Sequence, residues 1–425
     1  MQSRLPNILI AAAVTLAAST ARAADAPPQT LDAYVALALA HNPALSAASW
    51  RTQAASERAA AVGARPDPML TAGYFAQTPE TRVGPQEWGL TLSQRLPFFG
   101  KLGAESGAAA HTATAEAHYE HERRLDVVFE VTRWYHEYYR LNEVQRVLGE
   151  ERNLLDRMQD VAQVRYASGR VGQQDVLKAQ LAFSQVEDEI ELVTRGRVTA
   201  RTRLNELIGR DADAPLPDPV RAVPDAAAVE ARFALASSDS VLARRPELLA
   251  AASRVAGARE GARGARRGYY PDLTLGVQYV SVSPRGVPGM PDDGKDIVQV
   301  TAGINLPLWF GKLGARVREA DAQVARAESE RRATELRVRS ELADALEKVR
   351  TARERLILYE GVILPQAQQT FAVSEAAYGT GEVGFIDYLD SERTLLSVRR
   401  RYYQVVADLG VQIAYLERAL GREPR

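Results

Sequence analysis

The stretch Leu96-Pro97-Phe98-Phe99-Gly100-Lys101-Leu102-Gly103-Ala104 is written a second time as Leu306-Pro307-Leu308-Trp309-Phe310-Gly311-Lys312-Leu313-Gly314-Ala315. Working outward from this pair, Tyr166-x-x-Gly169-x-Val171-Gly172-x-x-Asp175-x-Leu177 returns as Tyr378-x-x-Gly381-x-Val383-Gly384-x-x-Asp387-x-Leu389. Leu207-Ile208-Gly209-Arg210 returns as Ala419-Leu420-Gly421-Arg422. Toward the starts, Asn42-Pro43-Ala44-Leu45 parallels Arg245-Pro246-Glu247-Leu248, and Pro66-Asp67 parallels Pro271-Asp272. The offset between equivalent positions grows only slightly along the chain, so insertions are small and lie in loops. Matches in one order define an internal duplication, with a first repeat over 24–214 and a second over 215–425. The join, Asp211-Ala212-Asp213-Ala214-Pro215-Leu216-Pro217-Asp218-Pro219, is too rich in proline for helix or central strand.

On either side of the repeated stretches the hydropathy changes period. Leu70-Ala72-Tyr74-Ala76 alternate with Thr71-Gly73-Phe75-Gln77, and Trp88-Leu90-Leu92 with Gly89, Thr91 and Ser93. Leu273-Leu275-Val277-Tyr279 and Val298-Val300-Ala302-Ile304 alternate in the same way with small or polar residues. This predicts strands at about 68–78 and 86–96 in the first repeat, and at about 271–283 and 296–306 in the second. Each has the length of a tilted strand across a bilayer, with an apolar face for lipid and a small polar face for water. Two half-buried hairpins of a soluble protein would show the same alternation. The polar loops 78–85 and 284–294, both at one end, favour the barrel, whose outer loops are the long ones. Four strands cannot close a barrel, because their edges would stay unpaired in lipid, so the barrel must be shared between copies.

From Lys101 to about Arg165 the chain has no proline and is rich in Ala, Glu, Arg and Leu. It predicts a helix of ~65 residues, ~100 Å long at ~1.5 Å per residue. Asp175 to Leu207 forms its return. The second repeat has Lys312 to Tyr378, interrupted at Pro365 by an expected kink or irregularity, and then Asp387 to Leu420. Helices this long need lateral partners along their whole length. The fold class is therefore an α+β membrane protein with a shared β-barrel and long helices.

The 425 residues carry 53 basic and 54 acidic side chains, which argues against nucleic acid as a partner. Zero cysteine excludes disulfides, thiol catalysis, zinc–cysteine and iron–sulfur sites, and any cysteine-linked lipid anchor. Arg4, the apolar run Ile8–Ala18 and Ala21-Arg22-Ala23 read as a signal peptide over 1–23, cleaved after Ala23. His118 and His121 share a helical face near His111, but without a carboxylate cluster they predict no metal site, and no cofactor is expected. No P-loop, Gly-x-Ser-x-Gly or paired acid–base constellation is present, so no enzyme is indicated.

With signal, duplication, strand placement and the Tyr-x-x-Gly-…-Asp motif together, the chain resembles the TolC family of outer-membrane efflux channels over essentially its whole mature length. The resemblance implies a homotrimer. Four strands per protomer would build one twelve-stranded barrel, continued by a long periplasmic α-helical barrel. It implies an exit duct passive in itself, partnered by a periplasmic adaptor and an inner-membrane transporter of the RND type, and seated in outer-membrane lipid. The Pro-x-x-x-Gly-Lys segments look like the heavy-metal branch, the channels of cobalt–zinc–cadmium or copper–silver pumps, so divalent metal cations are the expected solute. Drug or other organic solute efflux, type I protein secretion, an open porin, and a periplasmic helical adaptor or scaffold are the alternatives. Many relatives carry a lipidated cysteine; here barrel and trimer contacts alone would hold the chain in the membrane.

The functional candidates lie at the helix-to-helix turns farthest from the strands. Gly169 and Gly381 permit the positive φ of a tight turn and, with Asp175, mark tips that would dock the adaptor. Asp387 and Asp390 are three apart and share one face of the first turn of the following helix. A capping or dipole role is the plain alternative, above all for Asp175 and Asp387 at equivalent positions. Asp390 differs, because its counterpart is Lys178. The resemblance puts Asp387 and Asp390 on the family's aspartate rings at the periplasmic entrance, an anionic constriction when tripled. It puts Tyr378 on a tyrosine that latches the closed entrance, with Val383 where that tyrosine's partner arginine stands.

Overall fold

The computed structural model describes residues 30–222 and 242–422, so the signal-peptide reading of 1–23 lies outside the described residues. The first repeat supplies helices α1 (Leu31–His41) and α2 (Pro43–Gly63), strands β1 (Met69–Tyr74), β2 (Glu80–Thr81) and β3 (Gly84–Leu96), and helices α3 (Lys101–Ala167) and α4 (Gln173–Leu207). The second supplies α5 (Pro246–Arg267), β4 (Leu273–Val282), β5 (Ile297–Ile304), α6 (Phe310–Leu358), a π-helical turn (Tyr359–Ile363), α7 (Leu364–Thr380) and α8 (Phe385–Ala419). Two compact units result, and each draws on both repeats. Among the described residues, one comprises 30–46, 122–222 with Leu242, and 338–422; the other comprises Ala47–His121 and Ala243–Arg337.

The second of these units holds the sheet, an antiparallel array in the order β1-β3-β4-β5 with the short β2 beside β3. Its register explains the alternation in the sequence. Leu70 pairs with Leu92, Leu92 with Val277 and Val277 with Val300, giving one apolar rung across all four strands. The next rung is Ala72, Leu90, Tyr279 and Val298. The opposite face carries Thr71, Thr91, Gln278 and Gln299 in the same way. Leu70, Leu92, Val277 and Val300 are all exposed, so this apolar face has no cover within the protomer. At the hairpin ends, Arg285 pairs with Glu80 at 2.6 Å and the Gly294 N–H donates to the Val83 carbonyl at 2.7 Å, knitting the two long loops together. At the opposite end of the strands, Asp272 is the organising residue. Its carboxylate accepts from the Lys101 ammonium at 2.7 Å, from the Arg95 guanidinium at 2.6 Å and from the Phe98 N–H at 3.0 Å. The backbone N–H of Asp272 also donates to the Asn305 side chain. Burial opposes ionisation of Asp272, but these donors win and hold its carboxyl at about 2. The repeated Pro…Gly-Lys and Pro-Asp motifs are thus the joint between strand and helix.

The other unit is helical, with apolar clusters along α3, α4, α6, α7 and α8. Four of its helices, α3, α4, α7 and α8, end with the same device. Gly169, Gly209, Gly381 and Gly421 adopt φ of 72°, 71°, 85° and 69°. The next residue's N–H returns to a carbonyl five back, as in Arg170 to Arg165 and Glu382 to Ala377, both 2.9 Å. This is the Schellman cap, which needs a residue free of Cβ strain. Proline 365 marks a real irregularity. The Leu364 N–H bonds to the Tyr359 carbonyl, an i to i−5 step, so the missing proline donor is absorbed in one π-helical turn. The linker docks on α3 through Tyr135, whose hydroxyl donates to the Val220 carbonyl at 2.9 Å and accepts from the Val220 N–H at 3.1 Å.

Candidate functional site

The turn from α7 to α8 is a short glycine-rich corner. Gly381 ends α7 in the left-handed region, and Gly384 opens α8 in extended backbone without a side-chain cap. Along the first turns of α8, Phe385, Tyr388, Leu389, Ser391 and Glu392 are buried, while Asp387 and Asp390 are exposed. The helical period therefore separates two faces cleanly. The apolar face packs into the core formed with α3 and α4, and the two carboxylates stand together on the free face. The equivalent Asp175, in the first turn of α4, is buried instead. Equivalent aspartates in the two tips hence have different surroundings.

Tyr378 is only 6% exposed. Its ring stacks on Tyr388 at 5.0 Å and meets Phe385 edge-on at 5.9 Å. The guanidinium of Arg165, at the end of α3, lies over the ring 4.1 Å from its centre and donates to the Tyr378 carbonyl at 3.0 Å. The Tyr378 hydroxyl is buried without a hydrogen-bond partner among the described residues. Burial raises its pKa, the Arg165 charge works against that, and the nearby Asp175 carboxylate adds to it. The structure thus brings Tyr378, Arg165 and Asp175 together, and leaves Asp387 and Asp390 outside this cluster. Val383 packs against the same core.

Arg165 was not singled out from the sequence, although comparing the repeats exposes it. It precedes Tyr166 as Ala377 precedes Tyr378, so only one tip carries the cation. A second missed residue is Glu392, 2% exposed, whose Oε1 has no hydrogen-bond partner and whose carboxyl burial pushes up to about 7. Burial also pushes His136 down to about 4. Among the described residues there is no group of three or more His, Asp or Glu side chains arranged to hold a metal ion. No described helix is long and apolar enough to cross a membrane.

A family profile described as "Outer membrane efflux protein" matches residues 34–210 and 238–422. The cobalt-zinc-cadmium resistance protein CzcC of Cupriavidus metallidurans is 24% identical over 404 residues, covering 93% of this chain and 91% of that protein. The pyoverdine export outer membrane protein OpmQ of Pseudomonas putida is 22% identical, covering 92% and 85%. Among solved structures, CusC superposes with a TM-score of 0.78 at 18% identity, covering 92% of each chain. The outer membrane protein VceC of Vibrio cholerae gives 0.76 at 22% identity, covering 92% of this chain and 96% of that one. At such identities the likeness establishes the fold.

Proposed function

The chain belongs to the outer membrane efflux protein family, and on that footing we propose that it is the passive exit duct of a tripartite efflux pump carrying divalent metal cations. It is an outer-membrane channel; conduction, not catalysis, is its activity. The exposed apolar sheet face meets lipid, and the uncapped edges β1 and β5 pair with those of neighbouring copies, so that three protomers close one barrel. The tips of α3–α4 and α7–α8, including Gly169, Gly381 and Asp175, face the periplasmic adaptor. An RND-type transporter lies beyond it.

The observation that carries the gating reading is the free face of α8, where Asp387 and Asp390 stand exposed one turn apart. Three copies place six carboxylates around the entrance, a ring that favours multivalent cations. Tyr378 acts here through its own protomer, because Arg165 pins the ring and carbonyl to α3. Likeness to CzcC supports a metal solute, and likeness to OpmQ supports an organic one as the second reading. Planar-bilayer recording tests the gate. Hexaamminecobalt added on the periplasmic side is expected to block a small conductance, and Asp387→Ala with Asp390→Ala to weaken that block; block unchanged by both substitutions refutes the gate. A deletion strain separates the solutes: sensitivity to zinc, cobalt and cadmium alone supports metal export, and sensitivity to organic compounds alone overturns it.

A further inference from the structure

Within the unit that carries the sheet, α2, α3, α5 and α6 enclose one concave groove of about 1520 Å³. Its position relative to the sheet is fixed by Arg95, which lines the groove and sits on the polar face of β3 with Thr91 and Ser93. The groove therefore continues the water-facing side of the sheet, opposite the apolar face of Leu90 and Leu92. On the channel reading above, on which this inference rests, it is the inner wall of the duct next to the membrane.

The charge on this wall is one-sided. Asp272 is neutralised by Arg95 and Lys101, and Arg326 is paired with Glu330 at 3.6 Å. The remaining charged lining residues are Arg51, Arg58, Arg254, Lys312 and Arg316, against Glu105 and Glu116. None of these has an ion-pair partner among the described residues, and Arg254 lies over the Tyr119 ring at 5.2 Å. Arg51 and Arg58 sit two turns apart on α2, and Lys312 and Arg316 one turn apart on α6, so both margins of the groove are cationic. A confined wall of one sign concentrates the opposite ion, and the arginine forks suit phosphate or carboxylate oxygens.

We infer that the membrane-side inner wall of the duct binds small multivalent anions, through Arg51, Arg58 and Arg316 above all, so that the exported metal passes this wall as an anionic complex and not as the bare cation. A bare divalent cation is repelled by such a wall, whereas its anionic complex is held by it.

The probe is inositol hexakisphosphate added to the loop side of the full-length channel in a planar bilayer, in the Asp387→Ala/Asp390→Ala background so that the acidic mouth does not set selectivity. The expected results are a chloride-selective reversal potential and a block that weakens about tenfold or more between 0.1 M and 1 M KCl, where the screening length falls from ~10 Å to ~3 Å. Arg51→Gln/Arg58→Gln/Arg316→Gln is expected to lose the block, and the same three positions changed to Lys to retain most of it. Potassium selectivity, block by hexaamminecobalt from that side, or block untouched by the glutamine substitutions overturns the inference. A wild-type chain that inserts as a trimer yet conducts nothing under any condition instead strikes the channel reading itself.

Discussion

Glu392 is a carboxylate in the middle of an apolar seam. It lies on α8 between Leu389 and Leu396, both buried in the core formed with α3 and α4, and the Arg393 charge only partly offsets the effect of burial. Burial pushes its carboxyl up to about 7. The folded protein therefore holds this proton more tightly than the unfolded chain does, and stability falls as pH rises above the ordinary carboxylate range, levelling off above about 7. Taking an unfolded value of 4.5, the penalty is about 2 kcal/mol at pH 6 and about 3 kcal/mol at pH 8. Replacing Glu392 with Gln removes the titration while keeping the shape, and Glu392→Met removes the polar group as well. The assay is hydrogen exchange of residues 385–400 in the detergent-solubilised protein, corrected for intrinsic rates. In the wild type, opening of this segment should become about fivefold easier from pH 6 to pH 8, the equivalent of about 1 kcal/mol. In both variants that pH dependence should vanish, and protection at pH 8 should rise. Equal pH dependence in wild type and Glu392→Gln would show that the carboxylate reaches water, and would refute the reasoning.

Four further outcomes are expected. Arg165→Ala removes a cation–π contact and a hydrogen bond to the Tyr378 carbonyl. It should loosen the tip by about 1–2 kcal/mol, read as a higher open probability in single-channel records, with Arg165→Lys intermediate. A Cβ on Gly410 would collide with the buried His136 ring. Gly410→Ala should therefore destabilise the protein by about 1–3 kcal/mol in thermal melts, and His136→Ala should restore much of the loss, as a double-mutant cycle would show. Asp272→Asn leaves Lys101 and Arg95 without their anion. The stability this aspartate contributes is present above its unfolded pKa and lost as pH falls toward about 2, so the variant should be weaker by about 1–2 kcal/mol at pH 7 and indistinguishable near pH 2. Gly381→Ala forces a side chain to φ of 85°, and should cost about 1 kcal/mol and increase proteolysis at the tip.

The sheet was legible in the sequence because period-two alternation and lipid-facing chemistry coincide. The apolar rungs from Leu70 to Val300 and from Ala72 to Val298 are the alternating residues themselves. The free face of Asp387 and Asp390 was legible for a similar reason, since a spacing of three leaves them on one side of a helix. Arg165 was not, because its role depends on a ring more than 200 residues away in the chain, reached only when α3 and α7 lie side by side. Glu392 and His136 were equally hidden. In a helix rich in charge, a single glutamate or histidine on the core face resembles its exposed neighbours until the packing is known. The cationic groove combines residues of four helices far apart in the chain, and the near-zero net charge of the whole chain conceals it.

The two repeats share their corners and differ in what those corners carry. Gly169 and Gly381 make the same cap with the same φ sign and the same five-residue return bond. Around that shared frame, Tyr166 is 48% exposed while Tyr378 is buried. Arg165 stands opposite Ala377, Lys178 opposite Asp390, and exposed Gln180 opposite buried Glu392. A cap is fixed by backbone geometry, so duplication copies it without change; the surrounding side chains are free to diverge as soon as the copies occupy different places in one wall. The residues that diverged give the second tip an aromatic stack, an acidic free face and a buried carboxylate, and give the first tip the cation that holds the second in place. Arg165, standing opposite Ala377, ties the end of α3 to the α7–α8 turn through the Tyr378 ring and carbonyl, so it is the side chains around the shared caps, and not the caps themselves, that make the two tips unequal.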